Sequence, residues 1–152
     1  MGKDRITRQV VDELYVEALV LSDEAREAFN LRIQETEGPL DDSMKMALSV
    51  EGLRTTTRLM NVLAWLLNQR AYLSGELSEN QLRRYGELGD ERQSDPVQAA
   101  QLLPHTRLLI RDSELLYARI ARLDRGWRNR PSATASPVEA LQGRLATAFG
   151  SA

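Results

Sequence analysis

A chain of 152 residues with one histidine and no cysteine has little with which to make or break bonds. Structural zinc and haem need several nitrogen or sulfur donors, and disulfide chemistry needs thiols. Such metal and redox sites are excluded, and no cofactor is implied. His105 follows Pro104 at what reads as a helix start. General acid–base catalysis needs a partner group held against a substrate, and no partner for His105 can be named, so a surface or capping role is the simpler reading. Carboxylates crowd the first 30 residues at Asp12, Glu13, Glu17, Asp23, Glu24 and Glu27. They lie mostly on the polar side of a helical repeat and lack the inward Glu-x-x-His pattern of di-iron bundles, which makes them a solvated face. No phosphate-cradling loop or nucleophile elbow occurs. The chain reads as a non-enzyme.

Other residues are suited to holding a partner. At about 100° per residue, Arg54, Arg58, Asn61, Trp65, Asn68, Gln69 and Tyr72 share one side of a long helical segment. Trp, Tyr and Arg offer stiff contact area with a polar handle and dominate binding hot spots. Arg54, Arg58, Trp65 and Tyr72 are therefore one candidate partner-binding surface. The alternative is that Trp65 and Tyr72 pack under a neighbouring helix. Val138, Leu141, Leu145 and Phe149 recur on one face of a short helical stretch, the spacing of a helix-in-groove contact formed on binding. The alternatives there are docking on the chain's own bundle, or no role. Arg107, Arg111, Arg122 and Arg125 line one face of a third helix. Phosphate binding works by charge neutralisation, but Asp112 and Glu114 flank this face and the pI is about 5.5. Nucleic acid is the weaker alternative.

The elements that must position these residues are all helical, since no alternating Val, Ile, Thr or Tyr run suggests a strand. The first helix is expected from Asp4 or Thr7 to Glu35, with Val11, Leu14, Ala18, Leu21, Ala25 and Ala28 at heptad spacing. Glu37-Gly38-Pro39 breaks it. A second helix starts near 41–43 and ends near Ser74-Gly75. Met46, Val50, Leu53, Thr57, Met60, Ala64, Leu67 and Ala71 form its seam. Leu48, Gly52, Leu59, Leu63 and Leu66 form another apolar row about 120° away. Two apolar rows imply two neighbours and make this helix central. Ser78 with Gln81 is a capping box for a short helix that stops by Gly86 or Gly89. A polar linker follows at 90–94, and Asp95-Pro96 opens another turn. The third helix runs from Pro104 to Gly126 or Pro131 on Thr106, Leu109, Ser113, Leu116, Ile120, Leu123 and Trp127. The fold expected is all-α: a three-helix bundle over residues 4–130 with two long antiparallel helices, a short connecting helix and a flexible C-terminal tail at 131–152. Within the tail, Ser136, Pro137 and Glu139 read as a helix start.

Net charge is only −2, but residues 1–60 carry 8 basic and 12 acidic side chains, while 104–130 carry 7 arginines against 3 acids. Opposite faces meeting in one fold, or across a homodimer, would account for this. The dimer would also cover the excess length of the long helices. The longest apolar run, 62–67, is too short for a bilayer, and the N-terminus has no secretory pattern. A cytoplasmic location and no membrane partner are expected.

Residues 52–77 carry more than a heptad. Leu53 to Met60, Trp65-Leu66-Leu67, Gln69-Arg70-Ala71 and Gly75-Glu76 together resemble the signature stretch of the RcdA-like family of alphaproteobacteria, regulators of CtrA degradation. Leu102-Leu103-Pro104 and the run from Arg119 to Asp124 are similar too, so the resemblance covers about half the chain. It implies a dimerising three-helix bundle. It also implies an adaptor role, bringing cell-cycle transcription factors to the ClpXP protease alongside a response-regulator cofactor and a cyclic-di-GMP-responsive protein.

Overall fold

A computed structural model describes residues 6–36, 38–131 and 137–150, and every regular element among them is a helix. Helix α1 (Arg8–Ala28) starts at Thr7, whose side chain accepts from the Val10 amide, and it buries all six predicted seam residues. The expected single helix to Glu35 is in fact two. Phe29 ends α1, and Asn30 caps α2 (Leu31–Glu35). The buried Gln34 amide donates to the Ala28 carbonyl at 2.7 Å, serving a carbonyl that the break leaves without an intrahelical partner. The turn brings the Phe29 ring onto the next long helix at Gly52, where an added Cβ would stand 3.1 Å from the ring.

Gly38, at φ 134°, turns the chain toward α3 (Asp42–Leu73), which Asp41 caps at the Met44 amide. The alternative start at Asp4, Glu37 of the break and Ser136 of the tail lie outside the described residues. Helix α3 runs antiparallel to α1: Phe29 meets Gly52 at one end, and Asp12 pairs with Arg70 at 3.6 Å near the other. Gly75, at φ 81°, closes α3 in the left-handed conformation glycine favours. The predicted Ser78–Gln81 capping box opens α4 (Glu79–Tyr85).

The connector then runs back along α3. Asn61 donates to the Asp90 carbonyl, Arg58 to that of Arg92, and Glu51 accepts from the Asp95 amide. Asp95 and Pro96 start α5 (Pro96–Ala99), and Pro104 starts α6 (Pro104–Arg128). Because the connector has returned, α6 lies parallel to α3 and antiparallel to α1: Arg58 reaches Ser113, Trp65 reaches Asp124, and Arg119 pairs with Glu17. The six expected α6 residues from Thr106 to Leu123 are buried, and Trp127 is partly covered. The connector thus fills the α3/α6 groove. The other two grooves of the bundle, α1/α3 and α1/α6, stay open.

At the far end α4 clamps α6. The Arg83 guanidinium lies 4.6 Å from the Trp127 ring centroid and donates to the Arg130 carbonyl at 3.0 Å, while Arg128 donates back to the Arg83 carbonyl at 2.9 Å. This fixes the point from which the chain leaves the bundle for α7 (Pro137–Phe149).

Candidate functional site

Helix α3 carries two heptad rows, and the polar one faces inward. Glu51, Thr55, Arg58, Trp65 and Gln69 are all buried, interrupted only by Val62. Arg58 is 0% and Trp65 1% exposed, which corrects their expected role: neither can touch a partner in this fold. Their burial is compensated by polar atoms on the connector and α6. Arg58 donates to Ser113 Oγ at 2.9 Å, to Ser94 Oγ at 3.2 Å and to the Arg92 carbonyl. Its Nε lies 4.0 Å from Glu91. Glu51 Oε1 accepts from Arg54 at 2.7 Å and from the Asp95 amide at 3.0 Å. The Trp65 indole donates to Asp124 at 2.9 Å, and Asp124 also accepts from Arg128 at 3.1 Å. Of the four residues expected on this surface, only Arg54 and Tyr72 remain partly exposed, and Arg54 is already paired with Glu51.

Burial lowers the Arg58 guanidinium from its usual range, opposed by Glu114, Glu91 and Glu51. Burial also raises the Tyr117 phenol, assisted by the charges of Glu91 and Asp90. Tyr117 donates to the Gly89 carbonyl at 2.6 Å. A phenol raised in the fold stabilises fully below its unfolded value of about 10, and that contribution is lost as pH rises through the folded value. The tyrosinate titration of the native protein minus that of Tyr117→Phe should isolate one group with a midpoint above about 10. A midpoint at or below 10 would refute this account of the connector contact.

The apolar heptad row of α3, expected in the core, faces outward. Met46 is 61%, Leu53 69%, Met60 63% and Leu67 50% exposed, with Val50, Thr57, Ala64 and Ala71 between them. From Met46 to Ala71 the row extends about 38 Å and contains no charged residue. The second apolar row is buried as expected at Leu48, Gly52, Leu59 and Leu66, with Leu63 partly covered. The outward row is the surface the sequence reading missed. The signal was present in residues 51–69, whose polar members repeat at heptad spacing and face a connector rich in Asp, Glu, Arg and Ser.

The α1/α6 groove is different in character. Two adjoining depressions of about 400 and 490 Å³ share Glu24 and Asp112. Val20, Leu108 and Leu115 line them and are exposed. Glu17, Glu27 and Arg119 add charge at the rim, with Arg119 paired to Glu17 at 3.3 Å. His105 lies at one end. On α7, Val138, Leu141, Leu145 and Phe149 are 62%, 58%, 47% and 76% exposed. Among the described residues no group of three or more His, Asp or Glu could hold a metal ion, and no helix is long and apolar enough to cross a membrane.

These features define an all-α bundle protein with two open grooves and an apolar row along its central helix. The chain belongs to the family described as protein of unknown function (DUF1465), whose model matches residues 2–149. No curated protein and no solved structure matches it.

Proposed function

We propose that this protein is a non-enzymatic adaptor that acts by holding other proteins, with a second copy of itself paired along α3. The observation that carries the proposal is the exposed, uncharged apolar row from Met46 to Ala71. Monomeric soluble proteins rarely expose a contiguous apolar strip of this extent, and such strips mark interaction sites. Leu141 and Leu145 on α7 supply a second, tethered contact. Tethering raises the local concentration of a weak ligand, so two modest contacts hold a client longer than either alone. The resemblance of residues 52–77 to the RcdA-like family supplies the system: regulated proteolysis of cell-cycle transcription factors by ClpXP, in the cytoplasm, with a response-regulator cofactor.

The test is a purified degradation assay with ClpXP, its response-regulator cofactor and CtrA as client. Adding this protein should speed loss of the client, and Leu141→Asp/Leu145→Asp should abolish the gain while leaving the bundle folded. An unchanged rate with the native protein would overturn the adaptor reading.

A further inference from the structure

We infer that α7 folds back as a fourth helix in the α1/α6 groove of its own chain, so that the tail's apolar row is masked until a client displaces it. This rests on the reading of that row as a client contact. The first argument is the state of α7 itself. It has 13 residues with Gly143 in the middle, and its apolar row stands exposed. A helix this short is marginal in water and draws its stability from the surface its apolar face meets. A groove of matching chemistry lies on the same molecule.

The second argument is reach. The clamp between Arg83 and the Arg130 carbonyl fixes where the tail departs. From Arg130 back to Arg119 is 11 residues of chain, about 16 Å along a helix. The six residues 131–136 span up to about 20 Å. Helix α7 can therefore begin beside Arg119 and run antiparallel to α6.

The third argument is register. With both helices rising at about 1.5 Å per residue, Leu141 placed beside Leu115 brings Arg144 level with Asp112 and Phe149 close to Leu108. Val20 lies at the level of Leu115 across the groove and so meets Leu141 as well, while Leu145 lies one turn further along, level with Arg111. The cation of α7 arrives where Glu24 and Asp112 line both depressions. The α3 row offers no such match, because it contains no carboxylate for Arg144 to meet.

The chain has no cysteine, so Gly143→Cys provides a single attachment site for a nitroxide in the full-length protein, at a position where an added Cβ meets nothing within 4 Å. Paramagnetic broadening of the amide signals of Val20, Leu108, Asp112 and Leu115 is expected, with the signals of Leu53 and Met60 unaffected. Leu141→Asp/Leu145→Asp in the labelled chain should restore the groove signals. Sharp groove signals in the labelled chain would overturn the inference. So would broadening at Leu53 and Met60 instead, or broadening of the groove seen in mixtures of isotope-labelled and nitroxide-labelled copies, which would assign the contact to a second chain. The readout involves no client, so its failure leaves the degradation assay to decide the adaptor reading separately.

Discussion

Replacing Arg58 with alanine is expected to cost about 3–5 kcal/mol of stability, the range for removing one partner of a buried charge network. For a chain of this length that lowers the melting temperature by roughly 6–20 °C. Arg58 is fully buried and joins three segments at once: Ser113 on α6, and the Arg92 carbonyl and Ser94 hydroxyl on the connector. Removing the guanidinium strands those acceptors and leaves Glu51, Glu91 and Glu114 without their shared counter-charge. It also opens a cavity that the surrounding helices fill only in part. Arg58→Met keeps most of the stem volume and should recover part of the loss. Arg58→Lys keeps the charge but not the planar fork that reaches two directions, and should fall between native and alanine. Thermal or denaturant unfolding followed by circular dichroism measures all three. A loss within about 0.5 kcal/mol for Arg58→Ala, the scale of an ordinary surface change, would mean that the network contributes nothing net.

The same residue shows where the sequence was legible and where it was not. The α1 and α6 rows could be read directly, because each helix has a single row that continues at heptad spacing along its length without a charge: the row from Val11 to Ala28 and the row from Thr106 to Leu123 are buried as their spacing requires. Helix α3 has apolar residues on most of its circumference, so periodicity found the rows without telling which one faces inward. Hydrophobicity favoured Met46, Leu53, Met60 and Leu67. Burial went instead to Glu51, Thr55, Arg58 and Gln69. Such a choice is stable only when partners for the polar atoms come from elsewhere in the chain. For Arg58 and Glu51 they come from Arg92, Ser94 and Asp95 on the connector and from Ser113 on α6, contacts separated by 34 to 55 residues. No local pattern encodes them.

The first helix failed for a related reason. Residues 31–35 continue a helical composition, and nothing in that stretch alone demands the break at Phe29. The break follows from packing, because the Phe29 ring needs the bare backbone at Gly52. Of the candidate surfaces, α7 was legible because its four apolar residues have no competing row. The α1/α6 groove was not, because its apolar lip is assembled from Val20 on one helix and Leu108 and Leu115 on another.

Substituting both Leu53 and Met60 with glutamate is expected to turn a dimer into a monomer without unfolding it. The two side chains are 69% and 63% exposed, so the fold of one copy does not depend on them. The case for a second copy as the occupant lies in the alternation of size along the row. Large residues stand at 46, 53, 60 and 67, smaller ones at 50, 57, 64 and 71. An antiparallel pairing about a two-fold axis sets Met46 against Ala71, Leu53 against Ala64, Met60 against Thr57 and Leu67 against Val50. Every layer then opposes a larger side chain to a smaller one, the arrangement that lets facing helices interdigitate. Symmetry makes each substitution count twice. Four apolar side chains leave the contact, at about 1.5–3 kcal/mol each, and four carboxylates must be desolvated. That loss, roughly 6–12 kcal/mol, is comparable with the whole binding free energy of a micromolar dimer, about 8 kcal/mol. Sedimentation should give twice the 17.2 kDa chain mass for the native protein and the single-chain mass for the variant, with melting temperatures within a few degrees of each other. A native protein that is monomeric at micromolar concentration would remove the dimer. A variant that stays dimeric would move the interface off this row of α3, and the exposed Leu108 and Leu115 of the α1/α6 groove would be the next place to substitute.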